Sequence, residues 1–229
     1  MLGYEQKVRQ GIIMSLLDSV EKGTTILDVG CGNARDIGVL VQHEFNCVGV
    51  DLSPSMINEG RRKLDRAHLQ KVDLLVASAT QLPFRSGSFN AIVCSEMLEH
   101  VPDYLDAVRE IRRLTRIGGT VVVTTPNAVG VYGFFRMILR RIRALIGKPD
   151  PHPFDSWKSE AELNAALKSV GLGVLKNLGF CYLPGHPSYL LPPRAKTLLV
   201  ELVSLIEPVL EHRLHRFGYE VAVKCTAIG

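Results

Sequence analysis

Ile26-Leu-Asp-Val-Gly-Cys-Gly-Asn-Ala34 is an apolar run that closes on an acid and opens into a turn with glycines at 30 and 32. Glycine there permits backbone angles that a side chain disfavours, so the turn can be tight and a ligand can approach the main chain. Asp51 ends a second apolar run, Asn46 to Val50, where a carboxylate can accept hydrogen bonds from both hydroxyls of a ribose. A nucleotide-like ligand is therefore expected at the turn.

The third position of the fingerprint narrows the ligand. A dinucleotide site of the form Gly-x-Gly-x-x-Gly would need glycine at 35, where Arg35 stands; the pattern is Asp28-x-Gly30-x-Gly32-x-Ala34. An acid before the first glycine suits a ligand with a positive amino group and repels a pyrophosphate. S-adenosylmethionine has an adenosine, an α-amino acid and a sulfonium, and no phosphate.

On these residues the chain resembles the class I S-adenosylmethionine-dependent methyltransferases, type 11 branch, and further segments follow in the family's order. Gly49-Val-Asp51-Leu-Ser-Pro-Ser-Met56 resembles the second-strand motif, in which Asp51 would hold the ribose and Leu52 lie beside the adenine. Ala77-Ser-Ala-Thr-Gln-Leu-Pro-Phe84 resembles Gly-Asp-Ala-x-x-Leu-Pro-Phe, with Ser78 where the family has an Asp that accepts from the adenine amino group. A hydroxyl accepts more weakly than a carboxylate, which moves adenine recognition toward the backbone around Ala79. Phe89 to Asp103 resembles the fourth-strand region, and Gly118 to Asn127 the following turn and fifth strand. The resemblance implies S-adenosyl-L-methionine as cofactor, contacted by Asp28, Gly30, Cys31, Gly32, Asp51, Leu52, Met56, Ser78, Ala79, Thr80, Ser95 and Glu96. It also implies a seven-stranded sheet with an antiparallel last strand.

The pattern of elements agrees with an α/β, Rossmann-like three-layer sandwich. Apolar runs near 24–29, 46–50, 72–77, 90–94 and 119–125 alternate with segments of helical periodicity, and Val174–Phe180 and Tyr219–Thr226 are weaker strand candidates. With 229 residues a single domain over 1–229 is expected, with substrate-cap insertions at 126–155 and 181–216. Tyr4, Val8, Ile12 and Leu16 mark an amino-terminal helix, with Tyr4 a candidate cofactor contact.

From Val131 to Lys148, Phe135, Ile138, Leu139, Ile142, Leu145 and Ile146 recur at helical spacing, and Arg136, Arg140, Arg141 and Arg143 fall mostly elsewhere on the wheel. The plainer reading is a cap helix with its apolar stripe on the core and its arginines in solvent. The functional reading is a lid that touches a membrane surface or an anionic, apolar substrate. Pro193 to Leu214 is rich in leucine and valine and would roof a greasy pocket or form a dimer face, so monomer and homodimer both stay open.

A net charge of +4 without long blocks of one sign gives no electrostatic reason to expect nucleic acid. The five cysteines form no Cys-x-x-Cys pair and read as reduced, buried thiols. Glu5, Lys7 and Arg9 interrupt any secretory signal, and the longest apolar stretches carry charges. A cytoplasmic protein is expected, with peripheral contact to a membrane through 131–148 as the alternative.

Methyl transfer from a sulfonium is an in-line displacement, so alignment is the main task and a base is needed for a hydroxyl acceptor. His100 is the candidate base, since it follows the strand tip at Ser95-Glu96. Glu96-Met-Leu-Glu99-His100-Val-Pro-Asp103 is similar to the segment of the ubiquinone-biosynthesis O-methyltransferases whose histidine is taken as base and whose acids hold a divalent ion in some members. The competing reading is a loop histidine with local hydrogen bonds, and no metal is expected here. His152 and His186, in proline-rich turns, are lesser substrate candidates, and Trp157 and Phe154 read as a staple for a helix starting near Ser159. The expected activity is methylation, at oxygen by preference, of a small, apolar acceptor such as a quinone precursor, lipid or phenol. A non-enzymatic cofactor-binding protein and a nicotinamide-dependent oxidoreductase are the alternatives.

Overall fold

The computed structural model describes residues 2–64, 70–148, 155–182 and 214–229. The elements follow in the order α1 (Leu2–Leu16), β1 (Thr25–Val29), α2 (Arg35–Gln42), β2 (Asn46–Asp51), α3 (Pro54–Lys63), β3 (Val72–Val76), β4 (Phe89–Ser95), α4 (Tyr104–Leu114), β5 (Thr115–Pro126), α5 (Val131–Leu145), α6 (Glu160–Ser169), β6 (Leu172–Phe180) and β7 (Glu220–Ala227). They build one seven-stranded sheet, ordered β3-β2-β1-β4-β5-β7-β6. β1 to β5 run parallel, and β7 lies antiparallel between β5 and β6.

Alternation along the strands explains the three layers. Leu27 and Val29 with Ile92, Cys94, Val121 and Val123 meet α4 and α6 on one face. Ile26, Val93 and Val122 meet Ile13 and Leu16 of α1, Leu17 just beyond it, and Ile37, Leu40 and Val41 of α2 on the other. β2 and β3 extend to one side of β1 while β4 and β5 extend to the other, so the strand order reverses between β1 and β4. A crevice opens beyond the carboxyl ends of the strands at that place.

Local chemistry agrees with the helix starts. Ser53 caps α3 by accepting from the Met56 amide at 3.3 Å, with Pro54 as first helical residue. Ser159 and Glu162 form a complete capping box on α6. The α1 stripe is rotated from its expected position: Ile13, Leu16 and Leu17 are buried, and Val8 and Ile12 only pack at the margin.

α5 departs from the plainer expectation. Its apolar stripe is exposed, while Arg136 packs inward over Trp157 with its guanidinium 4.2 Å from the ring centroid. His152, Phe154, His186 and most of the insertion expected at 181–216 lie outside the described residues. The five cysteines are free and buried. No described helix is long and apolar enough to cross a membrane.

Candidate active site

Two adjoining cavities occupy the crevice. The first, about 620 Å³, runs from Gly30, Gly32, Asp51, Leu52, Met56 and Ser78–Thr80 to Glu96, Met97 and His100. The second, about 470 Å³, shares Gly30, Gly32 and Met56 and adds Cys31, Ser95, Glu5, Arg9, Arg35 and Asp36.

The glycine turn is fixed by its backbone. The amides of Gly30 and Cys31 both donate to the Val50 carbonyl, at 2.8 and 2.9 Å, which ties the turn to the end of β2. At Gly30, with φ +79°, an added Cβ would lie 2.3 Å from Met97 Cγ, so both angle and space require glycine. Ala34, where the family has a further glycine, adopts φ +61° and opens α2.

Asp51 is set by two amides. Its Oδ2 accepts from Gly32 N–H at 2.9 Å and its Oδ1 from Ser53 N–H at 2.8 Å. Each oxygen keeps a lone pair for a ribose hydroxyl. Leu52 and Met56, 71% and 42% exposed, offer apolar surface at the mouth of the cavity where an adenine can lie. Ser78 turns its hydroxyl to the Thr80 hydroxyl at 2.9 Å and accepts from the Thr80 amide. It is thus committed to its own turn, and Ala79 presents backbone beside it.

Asp28 occupies a different place from the other expected contacts. It lies beneath the turn, 1% exposed, outside the linings of both cavities, and neither carboxylate oxygen has a hydrogen-bond partner among the described residues. Burial first, then the nearby charges of Asp36 and Asp51, push its carboxyl well above the usual range. A cationic ligand over the turn favours the carboxylate form, so this orphaned acid fits a donor with ammonium and sulfonium groups. The groups that reach the wall were not singled out from sequence. Glu5, Arg9, Arg35 and Asp36 give the second cavity both signs of charge, which suits a zwitterionic amino acid, whereas Tyr4 lines neither cavity.

The far end of the larger cavity is built from titratable side chains. Glu96, at the tip of β4, holds φ +51°, an uncommon angle for a residue with a side chain. Its amide donates to the Thr124 carbonyl at 3.0 Å and its Oε1 accepts from the Thr124 hydroxyl, which also lies 3.1 Å from the Ser95 hydroxyl. Arg9 of α1 grips buried Glu220 of β7 with two hydrogen bonds, at 2.7 and 2.9 Å, and lies 3.8 Å from Glu96. Burial chiefly, with the charges of Glu220 and Glu99 added, raises the Glu96 carboxyl.

His100 stands on the cavity wall with more than half of its side chain exposed. Its Nδ1 lies 3.0 Å from Asp155 Oδ1, and the other oxygen of Asp155 lies 3.5 Å from Arg136 Nη1. Glu99, 2% exposed, accepts from the Thr125 hydroxyl and approaches His100 Nε2 at 3.8 Å. Burial pushes its carboxyl up to about 7, against the lowering effects of its own backbone hydrogen bond and of His100. Asp155 was invisible in the sequence, being 55 residues from its partner. Among the described residues no three His, Cys, Asp or Glu side chains gather to hold a metal ion.

Residues 27–123 match the family described as a methyltransferase domain. A demethylmenaquinone methyltransferase of Listeria welshimeri is 31% identical over 172 residues, covering 71% of this chain and 72% of that protein. The chain belongs to the S-adenosylmethionine-dependent methyltransferases. Solved structures extend the likeness in fold. A chain of a complex between the Haloferax volcanii Trm112 methyltransferase activator and a methyltransferase assigned by similarity superposes with TM-score 0.69 at 20% identity, over 99% of this chain and 93% of that one. Geranyl diphosphate C-methyltransferase from Streptomyces coelicolor, solved with S-adenosyl-L-homocysteine, superposes with TM-score 0.66 at 21% identity, over 97% and 79%. S-adenosyl-L-methionine is the cofactor of this methyltransferase, and the nicotinamide alternative falls with the family assignment.

Proposed function

We propose that this methyltransferase acts on a small, apolar acceptor with an ionisable ring hydroxyl, a quinol or phenol, and that His100 takes the hydroxyl proton. The carrying observation is the 3.0 Å contact of His100 Nδ1 with Asp155, made by a histidine on the cavity wall. With Nδ1–H donated to Asp155, the tautomer is fixed and Nε2 is left as the acceptor of a proton. Asp155 and, above about pH 7, the Glu99 carboxylate 3.8 Å from Nε2 place negative charge beside the ring. Asp155 is the positioning residue of this pair.

Bound S-adenosylmethionine supplies an electrophilic methyl group on sulfur. Asp51, Leu52, Met56 and the Ser78–Thr80 turn would hold the adenosine, and the Gly30–Gly32 turn with Arg35, Asp36 and Glu5 would receive the amino-acid end. Met97, Val101 and Pro102 beside His100 give the acceptor end an apolar wall that disfavours water. The name of the Listeria welshimeri relative, a demethylmenaquinone methyltransferase, supports a quinone-type acceptor. The sequence favours transfer to oxygen. A phenolate also carries charge on its adjacent ring carbon, and both that name and the C-methyltransferase title of the Streptomyces neighbour support carbon as the second reading.

The test is incubation of the full chain with methyl-labelled S-adenosylmethionine and a panel of quinols, phenols and amines, with product structure read by NMR. A methyl ether or a ring methyl on a quinol or phenol is expected. Transfer to amines alone, or binding of the cofactor with no transfer to any acceptor, would overturn the proposal.

A further inference from the structure

We infer that α5 is an interfacial helix that seats this protein on the surface of an anionic phospholipid bilayer, lying in the plane of that surface. The orientation of the helix carries the argument. The first turns face the protein on one side, where Gly133 is buried, Tyr132 packs against Trp157 and Tyr219 with centroids 5.9 and 5.3 Å away, and Arg136 lies over Trp157 and pairs with Asp155, while Arg140 and Arg141 further along are exposed. Its apolar side faces outward. Ile138, Ile142 and Leu145 follow one another along the stripe with Met137, Leu139 and Ile146 at its flanks, from 36% exposed at Ile138 to 86% at Leu145. An apolar strip about 14 Å long on a water-facing helix marks an interaction surface.

Charge selects what covers it. Val131 to Lys148 contains Arg136, Arg140, Arg141, Arg143 and Lys148, and no acid. A second copy meeting this strip across a two-fold axis would bring the same cations against themselves. A bilayer with anionic headgroups meets both needs at once, since apolar side chains enter the acyl boundary while arginines and lysine lie among phosphates. Between α5 and the 155–157 segment a cavity of about 490 Å³ is lined by Arg136, Arg140, Arg141 and Asp155. The buried Nη2 of Arg136 has no acceptor among the described residues, and a headgroup phosphate supplies one. Through Asp155 this same arginine adjoins His100, so the docked helix sets the acceptor end of the active site beside the bilayer. This deepens the proposed apolar acceptor, which partitions into such a surface.

Co-sedimentation with vesicles, without any acceptor, tests the inference. The full chain is expected to pellet with phosphatidylcholine vesicles containing phosphatidylglycerol, at least tenfold more weakly with phosphatidylcholine alone, and more weakly as salt rises. Ile142→Glu with Leu145→Glu should abolish pelleting, and Arg141→Gln should weaken it about fivefold. Calorimetry showing wild-type affinity for S-adenosylhomocysteine certifies that the variants are folded. A wild-type chain that stays in the supernatant, or a double variant that still pellets, overturns the inference. So does a dimer that the double variant dissociates while no vesicle is bound. Methylation of a soluble phenol by a chain that ignores vesicles would sink this inference alone; vesicle binding by a chain inactive on every quinol and phenol would sink the proposed acceptor alone.

Discussion

The two ends of the main cavity are built by different means. At the donor end, position comes from the main chain: the Gly30 and Cys31 amides hang from Val50, and two amides hold the Asp51 carboxylate. At the acceptor end, position comes from side chains that meet across long stretches of sequence, as in His100 with Asp155 and Glu96 with Thr124. A backbone cradle holds one invariant ligand, whereas a network of titratable side chains can be retuned for another acceptor by a few substitutions.

Separating the two ends by mutation should give the largest effect at His100. His100→Ala is expected to lower kcat/KM about a thousandfold, within the range for a positioned base, while calorimetry shows unchanged affinity for S-adenosylhomocysteine. Asp155→Asn should lower kcat less and displace the acid limb of the pH–rate profile, where a base must have lost its proton, a readout that a purely structural contact would not move. The converse variant, Asp51→Ala, should weaken S-adenosylhomocysteine about a hundredfold, or about 3 kcal/mol, since it removes a charged acceptor from the ribose and from two amides. Unaltered cofactor affinity there would erase the contrast between the two ends.

Glu99 sharpens the contrast through pH. Its folded-state pKa of about 7 lies above the ordinary 4.5, so the folded form binds the proton more tightly than the unfolded chain. Its contribution to stability is full below about pH 4.5 and is lost as pH rises through about 7. Glu99→Gln, which keeps an acceptor for the Thr125 hydroxyl, should flatten denaturant-derived stability over that window and gain about 2 kcal/mol at pH 8. A profile parallel to wild type would contradict the burial-driven shift. The smallest effect is expected at Ser78, where Ser78→Asp restores the family's carboxylate beside the adenine and should tighten S-adenosylhomocysteine a few-fold by calorimetry.

The same division decides what the sequence could say. The strands, the reversal of strand order and the residues of the glycine turn, Asp51 and Ser78–Thr80 were legible because each is a local pattern. Asp28 was legible as part of the motif but its burial was not, since alternation along β1 sends it under the turn toward α2, while Asp36 and Glu5 stand on the wall. His100 was legible from its strand tip, but its partner Asp155 belongs to a segment brought near by the fold. The α5 periodicity was correct and its direction was not, because periodicity defines an apolar side without saying which way it faces. There the stacking of Arg136 on Trp157 and its pairing with Asp155 prevailed over burial of the stripe.

The clasp between Arg9 and Glu220 spans 211 positions, joining the first helix to the last strand. During synthesis the guanidinium emerges 211 residues ahead of its bidentate partner. The inner wall behind Glu96 is therefore completed only after β7 has emerged, and a nascent chain lacking β7 holds the parts of a methyl-donor cradle without the brace that sets it at working shape.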